Sequence, residues 1–232
     1  MEATHFALVQ GWRDTRAALA AWNASPGPVV RTWVLASASI AVALLAAVWL
    51  IATLTEPSSR TVDAISRDAV GNWQDVADVL LRNSLVLALH AMACVAGFIA
   101  RSSLPLQVEG KQGVWRRVHE HAGPLAVAFV VGAIAFSLSA QAYLLGTNAG
   151  TLAARLRMSP GLLLLALTPH ALPELTALFL PLAAWIVASR RGDWNQLMAA
   201  TAVTVGLAIP VLVLAGLTEV FISPRIVSAL AP

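Results

Sequence analysis

Charge and cysteine are what this chain has least of. Only 12% of its 232 residues are charged, and Cys94 is the single cysteine. One thiol closes no intramolecular disulfide, so a cross-linked secreted scaffold is excluded. Fifteen basic residues against twelve acidic ones leave a net charge of +3. The basic residues are spread over loops rather than gathered in a patch, which removes nucleic acid as a partner. The motifs of common chemistries are missing too. There is no G-x-x-x-x-G-K-[ST] phosphate loop and no His-Glu-x-x-His pair, the signatures of nucleotide hydrolysis and zinc proteolysis. Ser137 and Ser139 lie in an apolar stretch with no evident base beside them, so no nucleophile is set up. The expectation is a protein that is not an enzyme.

What the chain has instead is apolar length. Hydrophobic residues make up 58% of it and the mean hydropathy is +0.74, the composition of an integral membrane protein. The pattern predicts an all-α single domain over 1–232 with about five transmembrane helices, at 32–54, 79–100, 125–146, 161–189 and 197–221. Two amphipathic helices at the membrane interface are expected as well. The first, within 1–28, carries Phe6, Val9, Trp12, Leu19 and Trp22 near one stripe. The second, at 57–78, repeats Val62, Ile65, Ala69, Trp73 and Val76 at helical spacing, with Asp63/Arg67 and Asp78/Arg82 as acid-before-base pairs. No apolar run precedes residue 32, and that first run is long enough to remain a span, so no cleaved signal is expected. Arg13, Arg16, Arg31, Arg101, Lys111, Arg116, Arg117, Arg190 and Arg191 then fall on one side. The positive-inside rule makes that side cytoplasmic, with the C-terminus extracytoplasmic, in a multi-pass protein of the cell (inner or plasma) membrane.

The fourth span holds the densest polar group. The run 161–189 exceeds the roughly 20 residues that cross a bilayer as one helix, and Pro169 and Pro173 lie inside it. The expectation is a break there, with Thr168 capping a new helix whose first residue is Pro169. His170 and Glu174 would share one face of that helix. Ionisable groups at membrane depth mark sites by default, so His170, Glu174 and His90 are candidates. In the structural account Glu174 accepts from backbone N–H groups freed at the break, while His170 bridges neighbouring helices. In a transport account His170, Glu174, His90 and Gln141 line a cavity between helix ends. One histidine and one glutamate are too few to fix a metal, and the His119-x-His121 pair has no further ligands; no metal and no cofactor are expected. Glu219, at the outer end of the last span, is expected to snorkel to the interface or to pair with an arginine, Arg155 or Arg225 being the nearest. Gly146-x-x-x-Gly150 points to a close backbone crossing or a turn.

Pro169-His170-Ala171-Leu172-Pro173-Glu174-Leu175 resembles the Pro-His-Gly-x-x-Glu-Leu motif of the stage II sporulation protein M family, with alanine in place of glycine. The segment Ala215–Pro224, with Glu219, Phe221 and Pro224, looks like that family's closing segment. Asn83 is similar to its polar start of the second span, and Leu145-Gly146 to its glycine-bearing third span. The likeness runs from about Asn83 onward. It implies a non-enzymatic membrane scaffold that organises partners such as peptidoglycan-remodelling enzymes of the cell envelope, in the family's case during sporulation. Its partners would be the lipid bilayer and other membrane or extracytoplasmic proteins, and a homo-oligomer is compatible with it. The alternative is a permease or channel-like subunit with its polar site at His170 and Glu174.

Overall fold

The computed structural model describes residues 2–55, 71–100 and 114–231; these form helices joined by short turns, with no strand among them. In order they are α1 (Glu2–Ala24), α2 (Pro26–Leu54), α3 (Trp73–Phe98), α4 (Val114–Arg155), α5 (Pro160–Leu178), α6 (Leu180–Arg191), α7 (Leu197–Leu217) and α8 (Ser223–Leu230). A 3-10 turn (Trp194–Gln196) precedes α7, and a π-helical turn (Thr218–Ile222) joins it to α8. Among the described residues, five stretches are long and apolar enough to cross a bilayer: Pro26–Leu54, Trp73–Phe98, Val127–Arg155, Pro160–Leu178 and Trp194–Leu230. Large apolar side chains such as Leu85, Phe129, Phe136, Leu165 and Leu214 point outward along them, a surface that suits lipid and not water. The chain is an all-α, multi-pass membrane protein.

Local chemistry sets the helix ends. Ser25 alone parts α1 from α2, its N–H returning to the Trp22 carbonyl at 3.0 Å. Pro26 and Pro28 fall in the first turn of α2, where no N–H is needed. The first membrane helix therefore starts before residue 32. At α3, Asn72 Oδ1 accepts from the N–H groups of Gln74 (2.7 Å) and Asp75 (3.1 Å), while Asp75 Oδ2 accepts from the Asn72 N–H (2.9 Å). This reciprocal cap fixes the start of α3 at Trp73. Trp73 and Val76 thus belong to the helix of the second span; the rest of the amphipathic segment, 57–70, and the basic loop with Arg101 and Lys111 lie outside the described residues. α4 extends beyond 125–146 at both ends and includes His119 and His121 in its first turns.

The interruption of the fourth span is displaced from its expected place. α5 runs without a break through Pro169 and Pro173, and the turn comes at Phe179. Thr168 caps nothing: its hydroxyl donates back to the Leu164 carbonyl at 2.8 Å, one turn earlier. The reason lies in which face the prolines occupy. Leu165, Pro169 and Pro173 form one exposed stripe, while Leu163, Ala166, His170 and Ala177 form the buried one. Each ring meets no packed neighbour, so the helix absorbs it. Pro181 is different, because it stands in a stretch from Leu178 to Trp185 in which every residue is buried. Its ring collides with the carbonyl four residues back and it donates no N–H, so helix geometry ends at Phe179 (φ −91°, ψ 0°) and restarts at Leu180.

The chain divides into two compact units: Met1–Ser37 with Val86–Ile134 and Leu178–Ala208, and Ala38–Leu85 with Ala135–Ala177 and Ile209–Pro232. In the first, one face of α3 holds the α5–α6 turn. His90 Nδ1 lies 3.0 Å from the Leu178 carbonyl and its ring meets Phe179 edge-on at 5.4 Å. A carbonyl only accepts, so Nδ1 carries the proton. One turn on, the Cys94 thiol donates to the Pro181 carbonyl at 3.1 Å. Gly97 completes the row: a Cβ there would stand 2.7 Å from the Trp185 indole nitrogen. The imidazole that satisfies loose backbone at the break is therefore His90. α1 joins this unit through Gly11, against Phe98 and Met198, and leaves Trp12 exposed with Arg16 over its ring.

In the second unit α2 and α4 cross closely. A Cβ on Gly146 would meet Ile51 at 2.6 Å, and one on Gly150 would meet the Ala52 carbonyl oxygen at 2.8 Å. The G-x-x-x-G pair is a seam between backbones inside a continuous helix.

Candidate functional site: a polar cluster on α3, α5 and the π-turn

Within the second unit the π-turn builds the site. Pro224 has no N–H to return to Val220, and the ladder slips by one residue just before it. The Ser223 N–H closes on the Thr218 carbonyl, five residues back. The apolar members of the widened turn anchor it. Val220 is buried against Val76 and Val79, with Leu80, Leu217 and Phe221 around them, and Phe221 meets Trp73 edge-on at 5.4 Å. Gly71 and Gly216 allow this approach, the first against Val220 and the second against Val79 and Leu80. π-turns recur at functional sites because they present side chains a regular helix cannot; here the side chain is Glu219.

Glu219 meets two residues of α5. One donor atom each from His170, Glu174 and Glu219 lies within 4.8 Å of the others. His170 is buried, and its Nδ1 stands 2.6 Å from Ser223 Oγ, the first residue of α8. The same hydroxyl lies 3.1 Å from the Thr218 carbonyl, which accepts its proton. With that proton spent, His170 Nδ1 is the donor to Oγ, and the lone pair falls on Nε2. Asn83, 4% exposed, brings its amide against the Glu174 carboxylate, while Nδ2 completes no hydrogen bond. Arg82 reaches Glu219 at 3.6 Å.

Charge in the cluster does not balance. Two carboxylates within 4.8 Å repel by about 3 kcal/mol at an effective dielectric constant of about 20. Arg82 offsets little of this, because its side chain is 67% exposed, and an exposed pair contributes about 0–1 kcal/mol. The set therefore has room for a cation or a proton.

Of the residues singled out in the sequence, the fold brings Asn83, His170, Glu174 and Glu219 together and leaves His90 in the other unit. Glu174 sits within an unbroken helix, so it has no freed N–H groups to accept from. Glu219, expected opposite Arg155 or Arg225, has Arg82 instead. Arg82 in turn does not serve Asp78, whose Oδ1 accepts from Gln74 Nε2 at 3.1 Å. Gln141 donates to Ser137 on its own helix at 3.1 Å. Pro169 and Pro173 face outward and touch none of the cluster's groups through hydrogen bonds. Sequence reading missed Arg82 and Ser223 as members; adjacency to Asn83 and the Ser-Pro step after Glu219 were the available signals. Compared with models of protein families, with curated proteins and with solved structures, the chain gives no match.

Proposed function

We propose that this protein is a non-enzymatic membrane scaffold of the kind the stage II sporulation protein M resemblance implies, holding cell-envelope enzymes such as peptidoglycan-remodelling proteins in the inner or plasma membrane. The observation that supports the reading is the convergence of Asn83, His170, Glu174 and Glu219. Residues of the resemblance's motifs, far apart in the chain, come together with donor atoms of His170, Glu174 and Glu219 within 4.8 Å, and the His170–Ser223 and Arg82–Glu219 contacts tie α3, α5 and the α7–α8 junction into one frame. Groups that bond one another across elements fix the shape of a bundle, and a fixed shape is what a docking frame requires. The N-terminus is cytoplasmic and the C-terminus extracytoplasmic in this reading. Cross-linking in native membranes, followed by identification of what is attached, tests it. A scaffold yields envelope enzymes with the wild type and fewer with Glu174→Gln, at equal protein level.

The permease reading has one observation of its own, the uncompensated carboxylate beside an exposed arginine. It predicts solute or ion flux in proteoliposomes that Glu174→Gln abolishes. Flux of that kind, with no envelope enzyme captured, would replace the scaffold with the permease.

A further inference from the structure

We propose that His170, Glu174 and Glu219 form a binding site for one divalent first-row metal ion of the zinc or manganese class, held between α5 and the π-turn. The inference holds for scaffold and permease alike. Sequence alone put two ligands together, too few for a metal; the π-turn supplies the third.

The donor set defines the ion. An imidazole nitrogen with two carboxylates suits Zn²⁺ or Mn²⁺, while Ca²⁺ and Mg²⁺ prefer oxygen alone and Cu⁺ prefers sulfur. Donor atoms around a tetrahedral ion at about 2.1 Å stand about 3.4 Å apart. The three here lie within 4.8 Å of one another, so they draw in by no more than about 1.4 Å, a movement within reach of rotation about the glutamate side chains. Three protein ligands leave a fourth position for water.

The surroundings are those of a ligand site. A metal-bound histidine donates its other ring N–H to an oriented acceptor. His170 Nδ1 does so toward Ser223 Oγ, itself anchored on the Thr218 carbonyl. The second, independent observation is the Asn83 amide. It is almost fully buried beside Glu174, and its Nδ2 falls short of hydrogen-bond geometry to any acceptor. Leaving such a donor unmade costs about 1–3 kcal/mol; holding a ligand carboxylate or the metal-bound water gives it a partner. Arg82 offsets only a small part of the carboxylate charge in the metal-free state. Its exposed guanidinium sits beside Glu219, where it competes with the ion and marks the side from which the ion arrives.

The test uses the full chain in detergent, stripped with chelator and titrated with ZnCl₂ and separately with MnCl₂. Bound metal per chain is read by elemental analysis after gel filtration, and the thermal midpoint is followed alongside. The expected result is one ion per chain and a raised midpoint. Glu174→Gln and Glu219→Gln each remove a ligand carboxylate and weaken binding by more than the roughly tenfold that loss of a ligand's outer partner costs. Arg82→Gln tightens it by no more than about fivefold, because that change removes only an exposed cation and keeps every ligand. The pair His119→Ala/His121→Ala leaves it unchanged. Absence of saturable binding by either ion overturns the proposal. Full retention in both glutamine variants, or loss of the ion with the His119/His121 pair, would do the same. The wild-type titration needs no variant and decides the matter even where a cluster variant does not fold.

Discussion

Two identical substitutions in α4 are expected to act with opposite sign. Gly132→Ala places a methyl where nothing lies within 4 Å, so only the helix preference acts, and it favours alanine by about 1 kcal/mol. Gly150→Ala gains the same preference but puts its Cβ 2.8 Å from the Ala52 carbonyl oxygen, with the Ala52 Cα at 3.4 Å. Ordinary carbon contacts begin near 3.5 Å, so α2 and α4 must part by about 0.7 Å. The obstacle is backbone, which has no rotamer to change. Overpacking of this kind costs about 1–3 kcal/mol, and a gap of that size forfeits a quarter to a half of the dispersion well along the seam. The net expectation is a gain of about 1 kcal/mol for Gly132→Ala and a loss of about 1–2 kcal/mol for Gly150→Ala. Reversible unfolding in mixed detergent–SDS micelles measures both. Equal effects of one sign would refute the close crossing.

Other outcomes follow from the same contacts. His90→Leu leaves the Leu178 carbonyl without its donor and should cost about 1–3 kcal/mol, while His90→Asn, which keeps an N–H near the position of Nδ1, should recover part of it in the same unfolding assay. Cys94 is fully buried, so a maleimide should label it only after denaturation; labelling of the folded protein in detergent would contradict its place under Pro181. A double-mutant cycle on Arg82 and Glu219 should give less than about 1 kcal/mol, because the arginine is mostly exposed; several kcal/mol would mean that the pair is desolvated.

The spans were legible because apolar length is a local property: each run states its own helix before any packing is known. The α5 break was not. Two prolines four residues apart read as an interruption, yet both lie with Leu165 on the exposed stripe, where a helix tolerates them. Pro181 broke the helix because its stretch is enclosed on all sides, and enclosure is a property of neighbours. The role of His90 was hidden for the same reason. Both read as ionisable groups in a span; only the packing of α3 shows that His90 serves the loose carbonyl, while His170 faces Ser223. Nor could helical periodicity place Glu219 beside Glu174, because a π-turn shifts the register by a residue and nothing in the 3.6 repeat announces it.

The convergence of α5 with the α7–α8 junction is tested most directly by a double-mutant cycle on His170 and Ser223. His170→Phe, Ser223→Ala and the double variant, unfolded in mixed micelles, isolate the bond between them. A favourable coupling of about 0.6 kcal/mol, the average for hydrogen bonds between membrane helices, and no more than about 1.7 kcal/mol, is predicted. Additivity to within about 0.3 kcal/mol would contradict it and dissolve the cluster.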